Sequence, residues 1–335
     1  MKYDLCCLGS AIVDLTFQVN EDFVKINEKR GILKGSMTLM EKEDQQKLIN
    51  ELNESGIFPQ KACGGSATNS AVAASMFGSE CFMTCIVEND ENGRFYLEDL
   101  SKNGVDHKSR LLNKNLSTGQ CLIMISEDAE RTMCTNLGIN AEISSEDIDE
   151  NTINDSKYIL LEGYQLASPG GYNLFKKVVE SAKKSNTKIA LSLSDSFIVN
   201  SFREALKEII GIKCDLIFCN ENESMEFCQT NDENNILETL KTYTPSALIT
   251  KGAEGCVGFD KEAQFKVPGI QVEAIDTNGA GDMFAGAVLH ELCNARSLEE
   301  SAKFGCFAAS KTVQNSGPRL TRDEYKEIKK TFSSY

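Results

Sequence analysis

Short, uninterrupted apolar runs alternating with stretches of helical spacing constrain the fold of this chain more than any other feature. The runs fall at residues 4–8, 81–87, 158–161, 189–193, 216–219 and 247–250. They are continuous rather than alternating, as strands covered on both faces are. Between them, residues 67–77, 92–103, 172–184, 202–210 and 236–243 place apolar side chains at helical intervals. This rhythm predicts βαβ units, a mostly parallel central sheet and helices on both of its faces. The handedness of the crossovers leaves few topologies. Residues 15–40 and 108–135 break the rhythm with loose alternation, and both read as strands of a small accessory sheet. One α/β domain spanning 1–335 with a small β lid fits this pattern better than two independent domains.

The most informative segment is Asp276-Thr277-Asn278-Gly279-Ala280-Gly281-Asp282, because an amphipathic helix follows it. Met283, Phe284, Ala287, Val288 and Leu292 would form the buried stripe of that helix. A helix start built from Gly279, Ala280 and Gly281 offers unpaired backbone N–H groups, the positive end of the dipole and room for a phosphate to approach. Asp282 in the first turn could simply complement the dipole, worth about 0.3–1 kcal/mol. The glycine-flanked turn favours a second role, a general base beside an anion site.

Charge and cysteine usage exclude several other classes. A formal net charge of −15 disfavours nucleic acid and anionic lipid as partners. No apolar run is long enough to span a bilayer. The thirteen cysteines are odd in number, and many lie inside apolar strand-like runs. Reduced thiols acting as small hydrophobes, and a cytoplasmic location, are the expectation. The only histidines are His107 and His290, which makes a structural zinc site a poor reading. The turn after the first strand, Gly9-Ser10-Ala11-Ile12-Val13-Asp14, is not a dinucleotide fingerprint, and no Walker A sequence occurs.

Four segments together resemble the PfkB, or ribokinase-like, carbohydrate and nucleoside kinases. The segment 276–282 resembles their C-terminal signature, and Ala62-Cys63-Gly64-Gly65-Ser66-Ala67-Thr68-Asn69 their N-terminal glycine pair ahead of a helix. Asn220-Glu221-Asn222-Glu223 is similar to their N-x-x-E motif, and Thr250-Lys251-Gly252-Ala253-Glu254-Gly255 to their nucleotide turn. The resemblance implies a three-layer α/β/α ribokinase-like fold with ATP and Mg2+ as cofactors. Asp282 would be the base, with Gly279, Ala280 and Gly281 as the anion hole and Arg131 reaching the phosphates. Asp14, Gly64, Gly65 and Asn69 would hold the acceptor. Asn220 and Glu223 would organise magnesium, chiefly through water. Thr250, Gly252 and Gly255 would shape the ATP pocket, with Asn315 and Gly317 closing over adenine.

The long interval between Asp14 and Gly64, with a helical segment at 41–53, resembles the adenosine kinase branch. A purine base needs apolar walls, for which Phe17, Met37, Leu39, Met124, Met133 and Tyr164 are candidates. The expected activity is phosphorylation of a nucleoside 5′-hydroxyl, adenosine first. Inosine or guanosine, a ribose- or fructose-type sugar, and a non-catalytic nucleotide-binding role are the alternatives. A monomer is expected, with pairing of lid strands into a homodimer as the other option.

Overall fold

A computed structural model describes residues 1–109, 111–128 and 130–332. Nine strands form the large sheet. Tyr3–Leu8 is flanked by Ser156–Glu162 on one side and by Cys81–Thr84, then the edge strand Val105–His107, on the other. Beyond Ser156–Glu162 come Lys188–Ser192, Leu216–Asn220 and Ser246–Thr250, then the hairpin of Gly255–Asp260 and Ala263–Pro268. Every pairing is parallel except the two made by Gly255–Asp260. This is the mostly parallel α/β architecture expected from the buried runs.

Strand alternation splits the core into two layers. Cys6 and Leu8 face Leu174 and Val178 of the helix Gly171–Lys184. Leu5 and Cys7 face Ala71 of Ser66–Phe77 and Phe284 and Val288 of Ala280–Cys293. Both faces are covered by apolar side chains, so each strand reads as a continuous apolar run.

A second, five-stranded sheet stands beside the large one. Its order is Met37–Leu39, Arg131–Asn136, Gly119–Ile125, Ile12–Gln18 and Gln60–Cys63. Two expectations for this region need correction. Residues 15–40 are not all strand: Glu21–Glu28 is a helix, capped where Asn20 Oδ1 accepts from Phe23 N at 2.9 Å and begun by two acidic residues. Leu111–Leu112 does not join this sheet but pairs with Val87–Glu88 in a separate two-stranded ribbon.

Alternation also sorts the proposed apolar walls. Phe17 and Met124 are buried on the outer face of the small sheet with Val24, Leu48 and Leu52 of its covering helices. They are core residues and cannot line a site beneath the sheet. Met133 shares the inner face with Ile12, Cys121 and Ile123, and Met37 pairs with it in register. Among the described residues, no helix is long and apolar enough to cross a membrane.

Candidate active site

The carboxyl ends of the large sheet's parallel strands carry the site, the position at which open α/β sheets bind ligands. Helix Ala280–Cys293 starts there, with Gly279 as its cap at φ +71°. A side chain at Gly279 would be forced against Pro318, since an added Cβ would lie 2.6 Å from the proline Cα. Gly281 has open space where a Cβ would sit, so an anion can reach the first-turn amides.

Asp282 is held from two sides. Ser66 Oγ donates to its Oδ1 at 2.6 Å, and Asn69 Nδ2 donates to its Oδ2 at 2.8 Å. Burial raises the Asp282 pKa, opposed by these two donors and by the positive charge of Arg319. Asn69 therefore braces Asp282, and its other side is also engaged, because its Oδ1 accepts from Arg319 Nε at 2.8 Å. Arg319 also contacts the Asp99 carboxylate.

Asp14 lies over the glycine pair. A Cβ at Gly64 would come within 2.2 Å of Asp14 Oδ2, so only glycine leaves the carboxylate its place. Burial pushes Asp14 up to about 7, reinforced by Asp282 and opposed by Arg319 and Arg131. Asp14 faces a cavity of about 380 Å3 lined also by Thr16, Phe95, Ile123, Arg131, Asp276, Asn278, Gly317 and Arg319. Arg131 does not project freely into this space, because it is paired with Asp276.

A second cavity, of about 300 Å3, opens on the other side of the 276–282 turn. Thr250, Gly252 and Gly255 of the hairpin line it, with Ala280 and Gly281 at the helix start. Ile270, Val272, Phe284, Cys306, Ala309 and Val313 supply apolar walls suited to a planar base. Residues of one turn thus serve both spaces: Asp276 and Asn278 face the polar cavity, Thr277, Ala280 and Gly281 the apolar one.

Asn220 and Glu223 form a capping box at helix Glu221–Cys228. Asn220 Nδ2 donates to Glu223 Oε1 at 2.6 Å, and Glu223 N donates to Asn220 Oδ1 at 2.8 Å. Burial pushes Glu223 up to about 7, reinforced by nearby Asp195.

Two expected residues fall elsewhere than their assigned roles. Gly317 lines the polar cavity, its N–H donating to Asp276 Oδ2 at 2.8 Å, not the apolar pocket. Asn315 sits in a surface hollow with Lys311, Gln314 and Leu320. Val313, just past the end of helix Leu298–Thr312, still lines the apolar pocket, and Asn315 and Gly317 do not. Tyr164 lies in the turn Gly163–Ala167, where its hydroxyl feels Asp195, Glu223, Glu162 and Asp282. That places it among carboxylates, in the turn that follows strand Ser156–Glu162.

Arg319, Ser66, Glu162 and Asp99 also belong to the site, although no sequence motif assigns them a role. Glu162 is buried and accepts from Ala67 N at 2.7 Å, anchoring the start of helix Ser66–Phe77. A carboxylate ending an otherwise apolar strand was a usable signal for it. Ser66 adjoins the glycine pair.

The pattern of the pfkB family carbohydrate kinase matches residues 27–324. Adenosine kinase 2 of Arabidopsis thaliana is 25% identical over 344 aligned positions, which cover 94% of this chain and 96% of that protein. The crystal structure of adenosine kinase from Sinorhizobium meliloti matches with a TM-score of 0.91 at 29% identity, covering 99% of this chain and 100% of the other. A probable sugar kinase protein from Rhizobium etli CFN 42 matches as well, with a TM-score of 0.91, 29% identity and 99% coverage of both chains.

Proposed function

This chain belongs to the pfkB family of carbohydrate kinases, and on that premise we propose that it transfers the γ-phosphoryl group of ATP to the 5′-hydroxyl of a nucleoside, adenosine being the first candidate. The observation that carries this reading is the 276–282 turn, shared by a polar cavity and an apolar pocket and ending on Asp282. Two substrates laid on opposite sides of that turn bring their reacting ends to the same carboxylate.

In this reading Asp14 accepts from ribose hydroxyls over the bare backbone of Gly64 and Gly65. The inner face of the small sheet, with Ile123, Met133 and Met37, covers the base and acts as a lid. ATP places its adenine in the apolar pocket, and its phosphates run past Gly281 to the first-turn amides. Asp282 takes the hydroxyl proton as the oxygen attacks in line, while those amides meet the developing charge. Arg131 keeps the lid close to the turn through Asp276 and presents its remaining N–H groups toward the transferred phosphoryl. Lid closure excludes water and limits wasteful hydrolysis.

Magnesium fits this site as an ion carried on the nucleotide. It retains much of its hydration shell, and Asn220 and Glu223 are engaged with each other, so they would hold it through water. Bound there, it would neutralise charge on the β- and γ-phosphate oxygens.

Adenosine is favoured over a free sugar by the apolar inner face, which a hexose or pentose would leave uncovered. The test is ADP release with adenosine, inosine, guanosine, cytidine, ribose and fructose, with Asp282→Asn as the blank. Turnover with nucleosides supports the proposal. Turnover with free sugars alone would overturn the nucleoside assignment and keep the chemistry.

A further inference from the structure

Arg319 is a buried cation at the end of a hydrogen-bonded chain that reaches Asp282. Its guanidinium contacts Asp99 of helix Glu91–Lys102, and its Nε donates to Asn69 Oδ1 at 2.8 Å. Asn69 Nδ2 donates in turn to Asp282 Oδ2 at 2.8 Å. Arg319, by donating to the amide oxygen, favours the one orientation of Asn69 that turns its N–H2 toward the carboxylate. The Asp99 contact fixes the guanidinium plane, which fixes the amide, which fixes one oxygen of Asp282. Ser66 holds the other oxygen at 2.6 Å, so the carboxylate cannot rotate.

We propose that Arg319 is a positioning residue for phosphoryl transfer, orienting Asp282 through Asn69 and supplying the positive charge that keeps it ionised. The inference rests on Asp282 acting as the base. The groups around Asp282 make the charge consequential. Glu162, Asp14 and the Tyr164 hydroxyl lie within its field: burial first, and then the negative charge of Asp282, raises the pKa of all three. Ser66 and Asn69 are neutral. Arg319 is the cation that opposes the burial of Asp282. A base must be deprotonated to act, so losing the cation raises its pKa and moves the acid limb of kcat to higher pH.

The experiment compares kcat against pH at saturating substrates for the wild type, R319Q and R319K, with D282N alongside. R319Q is expected to lose on the order of tenfold in kcat at pH 7 and to shift the acid limb up by roughly one unit. R319K restores the charge and should keep the limb in place. Its kcat should still fall, because one ammonium cannot hold Asn69 and Asp99 together in the geometry of a guanidinium. A folded R319Q whose acid limb does not move overturns the proposal. If R319Q does not fold, a wild-type kcat in R319K overturns it instead. Activity surviving in D282N would show that the base assignment itself has failed, whatever the Arg319 variants do.

Discussion

Arg131 of the small sheet is in direct contact with Asp276 of the turn that opens helix Ala280–Cys293. Both side chains are largely buried, at 15% and 8% exposure. The Asp276 carboxylate also accepts from Asn278 N and Gly317 N, each at 2.8 Å. One carboxylate therefore ties the small sheet, the 276–282 turn and the C-terminal segment together.

The two ends of this pair are not equivalent. Asp276→Ala strands a guanidinium and two amides, which should cost about 3 kcal/mol of stability. Arg131→Ala leaves Asp276 with its two N–H partners, and about 1 kcal/mol is expected. Urea denaturation of the two variants reads the difference directly. Equal losses would mean that the carboxylate is not the hub.

Asp282→Asn preserves size and can still meet Ser66 and Asn69, but it cannot take a proton. A fall in kcat on the order of 10² or more is expected, with acceptor affinity largely retained. Equilibrium binding of the acceptor, measured beside turnover, separates chemistry from binding. Near-intact turnover removes Asp282 from the role of base.

Asp14 and Glu162 are both pushed up to about 7 by burial. In the unfolded chain such carboxyls titrate near 4. The folded chain therefore holds more protons between about pH 4 and pH 7, and the unfolding free energy falls as pH rises through that window. Each unit of raised pKa corresponds to about 1.4 kcal/mol. The wild type should have a higher urea midpoint at pH 5.5 than at pH 8. Asp14→Asn, which has no proton to lose there, should narrow that gap. A variant with the same pH slope as the wild type would show that Asp14 does not titrate in this range.

Much of the fold was legible because its strands are buried on both faces and read as continuous runs. The hairpin of Gly255–Asp260 and Ala263–Pro268 was not, since glycines interrupt the first strand and the second is mostly exposed. Helix Glu21–Glu28 carried a readable cap in Asn20, but it is too short for its periodicity to stand out between strands. Phe17 and Met124 show what composition cannot supply: apolar residues on a small sheet face either a site or a covering helix, and only the register tells which. The turn at 276–282 was visible because its chemistry is local. The role of Arg319 was not, because its partner Asn69 lies 250 positions away.

Cys306 offers a direct test of the apolar pocket. It lines that pocket, and its sulfur lies 3.8 Å from that of the buried Cys256. Cys306 is the more solvated thiol of the two, and its hydrogen bond with Cys256 holds its pKa below the ordinary thiol value. Most of the other cysteines are fully buried, and burial raises their thiols. Brief treatment with iodoacetamide, followed by peptide mapping, should therefore modify Cys306 early. ATP filling the pocket should slow that modification on the order of tenfold at a concentration about ten times its Kd, as simple occupancy dictates. Adenosine alone, held on the Asp14 side of the turn, should protect far less. Equal protection by both ligands would mean that they share one space, and the division of the site by the 276–282 turn would fall with it.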